Sequence, residues 1–208
     1  MAGHIILLGD SIFDNAAYVG GAPDVARQLR GILPEGWRAT LLAVDGAVTG
    51  SIQRQLAAIP ANATLLVVSA GGNDALGESG ILSQRAATVG DGVMLLAEAQ
   101  LRFEERYGAM LEAVMAQGVP TALCTIYDAN FSEPEGRVIT AALALFNDVI
   151  TRAAFSRGLA LIDLRLICGE PSDYANRIEP SEQGGAKIAR AIAGLATGSV
   201  AGSQVIAA

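Results

Sequence analysis

His4-Ile5-Ile6-Leu7-Leu8-Gly9-Asp10-Ser11 decides the fold: four consecutive aliphatic residues run into a glycine turn that ends on a carboxylate and a hydroxyl. A short, unbroken apolar run closed by turn residues reads as a strand buried on both faces. The pattern recurs at Ala39 to Val44, Thr64 to Ala70, Val119 to Ile126 and Leu159 to Asp163. Between these runs, helical spacing of apolar residues predicts helices over Pro23 to Ile32, Gly50 to Ile59, Arg85 to Gln117, Pro134 to Ser156 and Ser181 to Ala196. Ser181 with Glu182 and Gln183 signals a helix start, and Gly118-Val119-Pro120 a helix end. Strand and helix alternate, which implies right-handed crossovers and a parallel sheet. The expected fold class is α/β, a three-layer sandwich with a five-stranded parallel sheet flanked by helices.

Composition agrees with one packed core. The chain has 208 residues, 51% hydrophobic and 17% charged, which excludes a disordered or collagen-like polymer. A single domain over residues 1–196 is expected, followed by a small, Gly/Ser-rich, loosely held tail at 197–208. Net charge is −7 and no run of Lys or Arg exceeds two residues, so the footprint needed to bind nucleic acid is missing. The N-terminus has no basic segment and only four apolar residues before Gly9, and no stretch of spanning length is uninterrupted. A soluble, cytoplasmic protein is the expectation. Cys124 and Cys168 fit buried free thiols, and the absence of Cys-x-x-Cys or a His pair gives no metal site. No cofactor is expected, and nothing in the sequence assigns an oligomeric state.

In an open parallel sheet, ligands bind beyond the carboxyl ends of the strands. The residues there are Gly9-Asp10-Ser11 after the first strand, Asp45 to Gly50 after the second, and Gly71-Gly72-Asn73-Asp74 after the third. A hydroxyl on a strand-to-helix turn can attack a carbonyl, while a backbone N–H beside a glycine and an Asn amide can donate to the developing oxyanion. That set is equipment for acyl transfer.

These blocks resemble the SGNH (GDSL) hydrolases, a family of lysophospholipases, thioesterases, acetylesterases and related acyl hydrolases with a flavodoxin-like fold. Ile6 to Ile12 looks like the first block, so the resemblance makes Ser11 the nucleophile and its N–H an oxyanion donor. Thr49-Gly50-Ser51 is similar to the second, which implies a donor role for the Gly50 N–H, and Ala70 to Asp74 resembles the third, with Asn73 giving its amide. Family members carry Asp-x-x-His before the last helix. Here Asn176 stands where the Asp belongs and Glu179 where the His belongs.

The single histidine, His4, lies at the start of the first strand, roughly 20 Å from Ser11 at about 3.3 Å per residue. Two readings of Glu179 therefore remain. Either it is the base of a Ser11–Glu179 esterase or lipase, or the chain is a catalytically impaired binding protein on the same fold. Glutamate is about two pKa units less basic than histidine in water, so the first reading implies low activity unless burial or a neighbouring carboxylate raises it. A flavodoxin-like nucleotide or flavin binder shares the topology, but Asp10 and Asp14 after the first strand would repel phosphate.

Asp10 and Asp74 are expected to fix their loops, and Arg177 to be a solvated surface charge. Gly184-Gly185 marks an expected close approach to the sheet. The segment Leu76 to Leu101 is a candidate acyl pocket or lid, with Phe13, Tyr18, Tyr127 and Phe131 as candidate walls. The expected partner is a small-molecule ester with a short acyl chain.

Overall fold

A computed structural model describes residues 2–199. The elements run β1 (His4–Gly9), α1 (Val25–Ile32), β2 (Arg38–Leu41), α2 (Ile52–Leu56), β3 (Leu65–Ser69), α3 (Gly72–Gly77), α4 (Val89–Met115), β4 (Thr121–Cys124), α5 (Glu135–Ser156), β5 (Ala160–Ile162), α6 (Leu164–Ile167) and α7 (Glu182–Thr197). All five strands are parallel, in the order β2-β1-β3-β4-β5. The chain reverses direction across the sheet at β1 and β3, which is where an open α/β sheet leaves its crevice.

The opening stretch shows why the strands read as continuous apolar runs. Ile6 and Leu8 point into a core with Phe103, Leu111, Phe146 and Ile150 of α4 and α5. Ile5 and Leu7 point the other way, against Val25 and Leu29 of α1 and Ile188 and Ile192 of α7. Alternate residues serve opposite layers, so every position must be apolar.

The structure keeps the first strand as expected, shortens the other four, and divides the expected second helix into a 3-10 turn at Thr49–Ser51 followed by α2. Helix α4 starts at Val89 because Thr88 caps it, accepting from the Asp91 N–H at 3.1 Å while Asp91 accepts from the Thr88 N–H at 2.9 Å. The short α3 and α6 lie in segments where the sequence predicts no helix. At the C-terminus, α7 continues through Thr197 and Gly198 caps it in the left-handed region; residues 200–208 of the expected tail lie outside the described residues. The glycine pair approaches something other than the sheet. A Cβ on Gly184 would sit 2.2 Å from the Asp173 carbonyl oxygen, and one on Gly185 would meet Val25 of α1 at 3.2 Å.

Gly9 ends β1 at φ 135°, and a Cβ there would lie 1.8 Å from the Ser69 carbonyl oxygen of β3. Left-handed strain of about 1–3 kcal/mol and a backbone overlap add together, so Gly9→Ala is expected to lower stability by at least about 2 kcal/mol. A lower urea midpoint measures it; an unchanged midpoint would refute the close approach.

Candidate active site

The turn after β1 is fixed by its own backbone and by distant amides. The Asp10 carbonyl accepts from the Phe13 and Asp14 N–H groups, and its carboxylate accepts from the Ile12 N–H at 3.1 Å. Gln55 of α2 holds Gly9 from both sides, accepting from its N–H and donating to its carbonyl, each at 2.8 Å. Ser11 is thereby held at the carboxyl edge of the sheet, with 7% of its surface exposed.

Two further turns meet it there. Asp74 accepts from the Thr49 N–H at 2.9 Å and the Thr49 hydroxyl at 2.7 Å, and Arg106 of α4 lies 3.8 Å behind it. Asp74 therefore ties the turn carrying Gly50 to α3. Asn73 donates one amide hydrogen to the Ala47 carbonyl at 3.0 Å, and an Asn side chain has a second to give.

The fourth piece is the loop before α7. Asn176 accepts from the Ile178 and Glu179 N–H groups at 2.8 and 2.9 Å, and the Ala175 N–H donates to the Glu179 carbonyl. Asn176 thus shapes the backbone that presents Glu179. Tyr127 donates to the Ile178 carbonyl, and the fully buried Asn15 links the Val25 N–H to the Pro180 carbonyl, binding this loop to the one that carries Ser11. Arg177 is exposed with its guanidinium 5.4 Å above the Phe131 ring, where the cation is partly screened by the aromatic face.

Glu179 is 6% exposed, and among the described residues its Oε2 has no hydrogen-bond partner. Burial raises its pKa, the Ser11 hydroxyl beside it pulls the other way, and the Asp45 charge raises it further. Asp10 is pushed up to about 7, chiefly by burial; the Ile12 N–H opposes this, and the charges of Glu179 and Asp74 add to it. Asp45 also accepts from the Tyr18 hydroxyl at 2.7 Å, so its charge is held at the site's edge. Among the described residues, no group of three or more His, Cys, Asp or Glu side chains is placed to hold a metal ion.

Ser11, Asp10, Asn73 and Glu179 line one cavity of about 140 Å³. Its far wall is apolar, built by Leu76, Ile81 and Leu96 on one side and by Leu143 and Phe146 of α5 on the other. Gly50 is on the adjoining exposed turn rather than in the wall, and Asp74, Asn176 and Arg177 stand behind or beside it. Of the candidate aromatic walls only Tyr127 lines the cavity; Phe13 is fully buried beneath α1 and α7. His4 is at the opposite edge of the sheet, bonded to Asn62 and Thr40. Sequence reasoning missed Gln55 and Asn15, whose partners lie 46 and 165 residues away.

The sequence model of the GDSL-like lipase/acylhydrolase family matches residues 7–187. The chain belongs to that family. A search of curated proteins finds no match. Among solved structures, the chain is similar to a phospholipase A1 from Streptomyces albidoflavus NA297, at 17% identity and TM-score 0.67, covering 92% of this chain and 98% of that one. It is also similar to the lipase Lip_vut3 from a goat rumen metagenome, at 18% identity and TM-score 0.71 over 92% and 96%. A lipase/acylhydrolase from Enterococcus faecalis matches at 18% identity and TM-score 0.65, over 98% and 100%. At these identities the structural matches establish the fold, and the family match makes this a member of an ester-hydrolase family.

Proposed function

We propose that the protein is a serine ester hydrolase in which Ser11 is the nucleophile and Glu179 the base. The supporting observation is the burial of the Glu179 carboxyl beside the Ser11 hydroxyl, at the polar end of an otherwise apolar cavity. Glu179 takes the Ser11 proton as Oγ attacks the ester carbonyl, and the resulting oxyanion is met by the Ser11 and Gly50 N–H groups and the second amide hydrogen of Asn73. Collapse breaks the carbonyl–alkoxide bond, and Glu179 returns the proton to the leaving alcohol. A water then repeats the cycle on the acyl-Ser11 ester, giving the acid and the free serine. Glu179 takes the position that the family resemblance assigns to a histidine, and its raised pKa makes it a stronger base than a solvated carboxylate.

Substrate size follows from the cavity. Apolar cavities of roughly 150 Å³ accept benzene, so about 140 Å³ fits an acyl chain of about six carbons or fewer. Asp10, Asp45 and Glu179 around the polar end favour an uncharged ester over an anionic one.

The test is hydrolysis of p-nitrophenyl acetate, butyrate and hexanoate by wild type beside Ser11→Ala and Glu179→Ala. Turnover requiring both side chains supports the reading, and equal background rates in all three would make this a binding protein. Asn73→Ala is expected to lower kcat by about 10²-fold or more. A change confined to KM would give Asn73 a role in substrate positioning only.

A further inference from the structure

Helix α4 is much longer than the strand it precedes. Its 27 residues span about 40 Å as a helix, whereas the four residues of β4 span about 13 Å, so α4 overhangs the sheet. The overhang is N-terminal, because the first buried residue of α4 is Ala99. Helix α5 repeats the arrangement, with Phe146 its first buried residue in a helix that begins at Glu135. Both helices run against the strand direction, so both overhangs rise above the carboxyl edge that holds Ser11.

A protruding surface in water would ordinarily be polar, and this one is apolar. Val89, Val93 and Met94 of α4 are 87%, 57% and 61% exposed, and Leu76, Leu82 and Val138 are exposed as well. By composition α5 is apolar enough to cross a bilayer, yet it packs on the sheet through Phe146, Val149 and Ile150, and residues 135–145 contain none of its buried positions. Exposed hydrophobic residues that gather on one face mark an interaction surface.

The occupant follows from what the face adjoins. Leu76, Leu82 and Ile178 are exposed and also line the cavity, so an apolar path runs from the outer surface to Ser11. Val93 lies one helical turn from the cavity residue Leu96, and Val138 one turn from the cavity residue Ala142. A surface that continues into the acyl cavity admits an ester chain without returning it to water. Charge selects the kind of surface. Residues 89–98 contain Asp91 and Glu98 and no Lys or Arg, Arg137 is paired with Glu133 at 2.8 Å, and the chain carries −7 overall. An anionic membrane would be repelled, and an uncharged one would not.

We infer that the N-terminal overhangs of α4 and α5 dock the protein on a zwitterionic phospholipid surface, from which a short-chain ester partitioned into that surface enters the Ser11 cavity. The direction of entry rests on the proposed esterase reading, whereas docking itself does not require turnover. Binding is therefore measured with full-length Ser11→Ala protein by co-flotation with phosphatidylcholine vesicles. The protein is expected to float, and Val93→Asp/Met94→Asp is expected to lower its partition at least tenfold while leaving hydrolysis of dissolved p-nitrophenyl butyrate by the Ser11 enzyme within about twofold. Val89→Asp/Val138→Asp, on both overhangs, is expected to act in the same direction. Absence of flotation, flotation unaffected by either double variant, or binding only to vesicles containing phosphatidylserine would overturn the inference. A dimer in sedimentation velocity that the same variants dissociate, without vesicle binding, would assign the face to a second copy of the chain instead. Vesicle binding without any hydrolysis would uphold the docking surface and remove the esterase reading.

Discussion

Replacing Ser11 by alanine is expected to lower ester hydrolysis at least about 10³-fold, to the level of buffer, with the unfolding free energy within about 1 kcal/mol of wild type. The activity loss follows from removing the hydroxyl placed beside the buried Glu179 carboxyl in the cavity. Stability should change little because the turn is held by backbone bonds to Asp10 and by Gln55 and Asn15, none of which uses the Ser11 side chain. The variant also reports on Glu179. The Ser11 hydroxyl lowers the carboxyl pKa, so its removal should raise that pKa further, a shift measurable by carbon NMR of the labelled carboxyl. An alanine variant with full activity would show that the nucleophile lies elsewhere, and a large fall in stability would mean the lost activity reports unfolding.

The sequence reveals the layers more readily than the clamps. Strands such as Ile5 to Leu8 are visible because each face of a sandwiched sheet demands apolar residues at alternate positions, and the two demands interleave. The three glycine-bearing turns are equally visible, since a chain leaving a buried strand must change direction, as Gly9 at φ 135° and Gly71 at φ 120° do. The extent of exposure is not encoded in local spacing. Periodicity identifies the long helix from Arg85 onward but cannot say that its first turns project past the sheet, because that depends on the length of β4. Asn15 and Gln55 read as ordinary polar residues because their partners are brought near only by the fold. The placement of Glu179 against Ser11 also needs the loop geometry that Asn176, Tyr127 and the Tyr174–Pro180 bridge impose.

Glu179→Gln keeps the size of the side chain and removes its capacity to accept a proton, so kcat is expected to fall about 10²- to 10⁴-fold. The pH profile supplies a sharper test. A carboxylate base works only when ionised, so wild-type activity should rise with pH through the Glu179 pKa, which burial and the Asp45 charge hold above the ordinary carboxylate value. Asp10, at about 7, should add a second rise, because its ionisation puts a negative charge near Glu179 and strengthens the base. In Asp10→Asn the rise that Asp10 contributes should vanish and the Glu179 rise remain. Stability provides an independent check on Asp10. Its folded pKa is raised above the unfolded value near 3.9, so the native state binds its proton more tightly. Asp10's stabilising contribution is full below about pH 4 and is lost as pH rises to about 7. The thermal midpoint of wild type should therefore decline relative to Asp10→Asn across that interval. A profile left unchanged by both Asp10→Asn and Glu179→Gln would contradict the assignment of Glu179. Residual Glu179→Gln activity that keeps both rises would place the base on another carboxylate.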